Sequence, residues 1–135
     1  MQYHLGRLFD HVHLRVADLE QSKQFYSAVL RALGLDILGE GPGFFHADEL
    51  FVSDDAAPGG PVHLAFQAEG PESVQRFHEA GLQAGGRDNG PPGPRHYHPG
   101  YYSAYLLDPD GNNIEAVYHG PAERSVAAVV VTPRE

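Results

Sequence analysis

Hydrophobic and polar positions alternate along residues 10–17 (DHVHLRVA) with the two-residue period of a half-buried strand. Val12, Leu14 and Val16 fall on one side; His11, His13 and Arg15 fall on the other. The period then changes. Apolar positions recur at helical spacing through Leu19, Phe25, Tyr26, Val29, Leu30 and Leu33, with Asp18 placed as the N-cap and Gly34 as the C-cap. Short strands are expected over residues 35–40, about 43–46, and 49–53. The acidic, Gly/Pro-rich stretch 54–61 (DDAAPGGP) reads as a linker.

The pattern restarts at Val62. Leu64 and Phe66 alternate with His63, Ala65 and Gln67, and a helix is expected over about 71–84 with Pro71 in its first turn. Residues 85–100 read as a long loop, and 101–108 and 112–119 as strands joined by Asp108-Pro109-Asp110-Gly111. The tail 126–132 (VAAVVVT) is a further apolar strand candidate, at a sheet edge or against another copy; the alternative is a partly ordered tail. Residues 11–34 and 63–86 repeat at a fixed offset of 52, with seven identities in 24 positions that include His11/His63, Phe25/Phe77 and Gly34/Gly86. The expectation is an α+β fold of two βαβββ modules, residues 9–54 and 61–119, in a single domain of residues 1–135 with a tail at 120–135. Helices would cover the apolar strand faces, leaving the opposite faces of curved mixed sheets to line a cavity.

Length and composition narrow the picture in four ways. A chain of 135 residues is one domain by length, but each module alone is too small to be comfortable. The modules should share a core or pair with another copy of the chain. The absence of cysteine removes disulfides, thiolate metal sites and cysteine nucleophiles. A net charge of −9 argues against nucleic-acid or anionic-membrane partners, which need a basic footprint. No apolar run reaches membrane-span length and no secretory signal opens the chain, so the expected compartment is the cytoplasm.

Nine histidines are many for this length, and their positions matter. His11 and His63 open equivalent strands, on the side away from the expected helix contact. Glu115 stands in an otherwise apolar strand, a costly place for a carboxylate without a partner. Two imidazoles and one carboxylate with open positions form a facial triad suited to Fe, Mn, Co, Ni or Zn as the divalent ion. The plain alternative is three polar residues scattered over more than 100 positions with separate structural roles. The loop RHYHPGYYSAY adds His96, His98, Tyr101 and Tyr102 as acid–base, hydrogen-bonding or substrate-contacting groups, in a position to cover the cavity mouth. There too the tyrosines have a structural alternative, packing the second module's sheet. His13 faces the same way as His11, as a second substrate-side group or a solvated surface histidine. The Asp108–Gly111 turn is no calcium loop, since its glycine comes too early. No phosphate-binding loop ending and no Ser-His-Asp arrangement stands out.

The segment DHVHLRVADLEQSKQFYSAVLRALG, the second-module start PVHLAF and the hairpin DPDGNNIEAV together resemble the vicinal oxygen chelate superfamily (glyoxalase, bleomycin-resistance protein, extradiol dioxygenase) over about residues 9–119. The stretch NGPPGPRHYHPGYYSAY is further similar to uncharacterised glyoxalase-like bacterial proteins. The resemblance implies paired βαβββ modules around a metal-lined cavity, with His11, His63 and Glu115 as ligands, a small-molecule substrate and a homodimer. Glyoxalase I has a fourth ligand on the last strand of its first module. Here that strand is ELFVS, which places Phe51 or Ser53 at the position, and Glu49 only if the register shifts. The implied activity is a metal-dependent lyase, isomerase or oxygenase; the alternative is a metal-free binding protein of the bleomycin-resistance type.

Overall fold

The computed structural model describes residues 2–134. Its first module runs β1 (Val12–Arg15), α1 (Leu19–Ala32), β2 (Gly39–Gly41), β3 (Phe44–Ala47) and β4 (Leu50–Ser53). The second runs β5 (His63–Gln67), α2 (Pro71–Gln83), β6 (Arg87–Pro94), β7 (Tyr102–Leu107) and β8 (Asn113–Tyr118). Each module forms its own four-stranded mixed sheet, ordered β1-β4-β3-β2 and β5-β8-β7-β6. The outer pairs β1/β4 and β5/β8 are parallel, because the chain must cross over a helix between them. The two sheets do not join into a closed barrel.

The duplicated pattern reads directly into this arrangement. Asp18 caps α1, accepting from the Gln21 amide at 3.0 Å, and Pro71 occupies the first turn of α2. Phe25 and Phe77, equivalent in the repeat, are both fully buried. The two modules share one core, in which Val29, Phe25 and Phe77 from the helices meet Val52, Leu106 and Ile114 from the sheets. Gly86 sits where the helices close on one another. A Cβ there would lie 2.5 Å from Phe25 Cε1 and 2.8 Å from the Gly81 carbonyl oxygen. Gly86→Ala is therefore expected to cost ~1–3 kcal/mol in urea unfolding; a variant as stable as the parent would show that this junction has room.

Two expectations are corrected, and one open alternative is narrowed. Residues 85–100 are not all loop: Arg87–Pro94 form edge strand β6, whose two register shifts against β7 absorb its glycines and prolines. The expected strand 35–40 is displaced toward its C-terminal end, as Gly39–Gly41, and residues 35–38 are not strand. The tail forms no strand within the chain, and Val126, Val129, Val130 and Val131 are exposed. Among the described residues no helix is long and apolar enough to cross a membrane.

The hairpin turn DPDGN is tied to the first module. Asp108 is 1% exposed. Its Oδ1 accepts from the amides of Asp110 (3.0 Å) and Asn112 (2.8 Å), and its Oδ2 from Asn112 Nδ2 (2.9 Å) and the buried Tyr26 hydroxyl (2.5 Å). Burial, then the neighbouring Asp108 charge, raises the Tyr26 phenol well above its ordinary pKa, so it remains a donor. Glu115 stands three positions into the strand that this turn starts.

Candidate functional site

Pairing of β5 with β8 sets Ala65 beside Glu115, and β7 sets Tyr105 on the other side. Alternation sends Ile114 and Ala116 into the core and Glu115 to the opposite face. Glu115 is nevertheless 2% exposed. One oxygen meets His63 Nε2 at 2.8 Å, and the other accepts from the Tyr101 hydroxyl at 2.5 Å. Burial, then the bond to Glu115, raises the Tyr101 pKa, keeping the phenol protonated and donating. The His63 side chain is about half exposed, so one side of this carboxylate–imidazole pair opens outward.

His11 lies elsewhere. It precedes β1 in the first sheet, where its Nδ1 is 2.6 Å from Asp10. Its cavity, of about 350 Å³, is lined by His11, His13, His46, Asp48, Glu49 and Phe51. One chain thus brings His63, Glu115 and Tyr101 together and leaves His11 apart. Among the described residues no three His, Asp or Glu side chains are grouped to hold a metal ion.

The register also decides the fourth-ligand position. Val12 pairs with Leu50 as its repeat equivalent Leu64 pairs with Ile114, so Phe51 is the first module's counterpart of Glu115. Phe51 cannot ligate a metal. Ser53 is occupied: its hydroxyl donates to Asp55 at 2.7 Å and meets His13 Nε2 at 2.6 Å. That bond is the leading cause lowering the Asp55 pKa, with Arg15 helping. This His13–Ser53–Asp55 chain escaped the sequence reading because His13 and Ser53 lie far apart in the chain and meet only through the pairing of β1 with β4. Glu49 lines the His11 cavity.

The remaining loop residues divide between two environments. His96 stacks on Tyr97 at 4.9 Å, and His98 bonds His119 through ring nitrogens 2.8 Å apart. Both line a second cavity of about 540 Å³ that also includes Tyr101, Tyr102 and Tyr118. Tyr102 pairs with Tyr118 on the helix side of the sheet, packs on the core and accepts from Gln75 at 3.0 Å. It does not share a face with Glu115. The sequence reading missed the pairing of His98 with His119, which required knowing how the 95–101 loop folds back.

The donor chemistry of the second sheet fits a divalent ion in part. A buried carboxylate with an imidazole at its oxygen supplies two of the three expected ligands, and Tyr101 holds the carboxylate from behind.

The sequence profile of the Glyoxalase/Bleomycin resistance protein/Dioxygenase superfamily matches residues 8–116. The structure is similar to a glyoxalase/bleomycin resistance protein from Albidiferax ferrireducens T118, at 36% identity and a TM-score of 0.70, covering 82% of this chain and 98% of that one. It shares its fold with a glyoxalase/bleomycin resistance protein/dioxygenase family enzyme from Burkholderia phytofirmans PsJN (21% identity, TM-score 0.63, 80% and 95% covered). It does so too with a glyoxalase-related enzyme from Fulvimarina pelagi (23% identity, TM-score 0.62, 82% and 87% covered). No curated protein resembles the sequence closely enough to count as a match. With the repeat, the two βαβββ sheets and the profile in agreement, the chain belongs to the glyoxalase/bleomycin resistance protein/dioxygenase superfamily.

Proposed function

We propose that the chain is a metal-dependent enzyme acting on a small oxygen-chelating substrate, in a site that two copies complete. His63 and Glu115 of one copy, with His11 of a second, would hold the ion. The observation that supports this reading is the buried Glu115–His63 pair, with Tyr101 donating to the far carboxylate oxygen and the third histidine stranded on the other sheet. A second copy also has something to cover: Leu8 and Phe9 beside His11, and the tail valines, are exposed. A divalent ion there would act as a Lewis acid toward adjacent substrate oxygens, which serves isomerase, lyase and oxygenase chemistry alike. The chain's own part is to fix Glu115 through Tyr101, to present His63 at the open side, and to place His13 on the face that carries His11. Phe51 supplies no ligand at the fourth position, and Glu49, a carboxylate of the His11 cavity, remains to be tested as one.

Metal content after loading with Fe, Mn, Co, Ni or Zn tests the reading; about one ion per chain is expected. Tyr101→Phe should keep the fold and weaken metal affinity by about 10–100-fold, as loss of a supporting hydrogen bond to a ligand does. Absence of a bound ion under every loading would favour the second reading, a metal-free small-molecule binding protein. A specific observation favours that alternative: His63 and Tyr101 already satisfy both oxygens of Glu115 without an ion.

A further inference from the structure

We infer that His98 and His119 are positioning residues: their imidazoles clasp the 95–101 loop to the end of β8 and so aim the Tyr101 hydroxyl at Glu115. Tyr101 stands one residue before β7, and His119 one residue beyond β8. The two strands pair up to Tyr102 and Tyr118, so the clasp sits just past the end of their ladder. His98 Nε2 is 2.8 Å from His119 Nδ1, with the ring planes within 18°. The Pro99 carbonyl only accepts, so His98 Nδ1, 2.9 Å from it, carries the hydrogen. In the neutral pair His98 Nε2 is then bare and accepts from His119 Nδ1–H. Neither histidine bonds Glu115, whose two oxygens go to His63 and Tyr101.

The backbone is shaped for this meeting. Gly100 and Gly120 both take left-handed conformations, with φ of 89° and 96°. They lie back to back: a Cβ on Gly100 would fall 3.3 Å from the Gly120 Cα and from the His119 carbonyl oxygen. The loop also closes on itself. The Arg95 amide donates to the Tyr101 carbonyl at 2.9 Å, and the Tyr101 amide to the His98 carbonyl at 3.2 Å. Three rings then box the Tyr101 ring. His98 meets it edge-on at 5.3 Å and 78°, His119 at 5.1 Å and 87°, and Tyr97 at 5.0 Å and 63°. Of the three, only His119 comes from outside the loop, on the chain that has just left the strand of Glu115. A phenol at the end of a largely exposed loop must give up rotamer freedom before it can donate. The clasp removes that freedom beforehand. This inference deepens the proposed function, resting on it only for the ion that Glu115 would hold.

The test follows the Tyr101 ring carbon that bears the hydroxyl, by NMR of chelator-treated protein with ¹³Cζ-labelled tyrosine. Its signal is assigned by its loss in Tyr101→Phe. His119→Ala, at an exposed position and checked for an unchanged melting curve, should move that signal toward the position of the exposed Tyr3. His119→Asn lacks the ring but keeps an N–H for His98 Nε2, so it should return the signal to its place in the parent. In protein loaded with Zn, His119→Ala should weaken binding of the ion by about tenfold. In a Tyr101→Phe background it should weaken binding no further, because the clasp acts through the phenol. An unmoved signal in His119→Ala would overturn the inference, as would failure of Asn to rescue it. So would a loss of Zn affinity of equal size with and without the Tyr101 hydroxyl. The two proposals fail separately. A protein that takes up no ion while His119 still governs the Tyr101 signal refutes the metal reading alone. One that loads the ion while the signal ignores His119 refutes the clasp alone.

Discussion

Chains carrying His11→Ala and chains carrying Glu115→Gln should each lose stoichiometric divalent metal, and their co-expressed mixture should regain about a quarter of the sites. The arithmetic follows from a two-fold dimer: half the assemblies are mixed, and in each of those one site carries both substitutions while the other carries none. Both variants suit the test. The His11 side chain is 64% exposed, so its loss disturbs no packing. Gln keeps the volume of Glu115, 2% exposed, and can still face His63 and Tyr101, but it removes the charge that an ion requires. The Coulombic loss falls on the ion, which is why the effect should be complete. A mixture that regains no metal would place the whole site within one chain. Full metal retention by His11→Ala would remove His11 from the ligand set.

The largest stability effect should come from Asp108→Ala. Four neutral donors converge on that carboxylate, and two of them (the Asn112 backbone amide and the Tyr26 hydroxyl) have nowhere else to turn in a buried corner, while the Asp110 amide is part-buried. Leaving them unpaired is expected to cost ~3 kcal/mol or more, a large share of the 5–15 kcal/mol that holds a domain together. Tyr26→Phe removes one donor and should cost about 1–2 kcal/mol. The double variant should then be little worse than Asp108→Ala alone, since the bond lost is the same. Thermal and urea unfolding of the three variants check this. If Asp108→Ala melts with the parent, the turn is not what fixes the second sheet to the first module's helix. Because Glu115 follows from this turn, a destabilised hairpin should also loosen metal binding, and Tyr26→Phe should do so without touching a ligand.

Much of this fold was legible in the sequence because the signals are local. Period-two alternation at residues 12–16 and 63–67, helical spacing after Asp18 and Pro71, and the 52-residue offset each depend on neighbours along the chain. The strand β6 was hidden for the same reason. Its composition of Gly, Pro and Asn disfavours strand, and only the edge position and two register shifts, supplied by β7, accommodate it. The Glu115 side chain was marked by its apolar surroundings, but its partner Tyr101 was one tyrosine among several until β7 and the 95–101 loop were placed.

The sequence by itself determined the duplicated βαβββ order, the face on which His11, His13, His63 and Glu115 stand, and the exclusion of thiol chemistry, since alternation and composition need no tertiary information. Tertiary structure alone decided which of these residues meet. Two separate sheets put His63, Glu115 and Tyr101 on one and His11 on the other. Pair register set Phe51 opposite His13 as the counterpart of Glu115. The physical reason is that a strand's own pattern fixes which face a side chain takes, whereas its neighbour across the sheet depends on register. Which sheet faces which depends further on how the helices share one core.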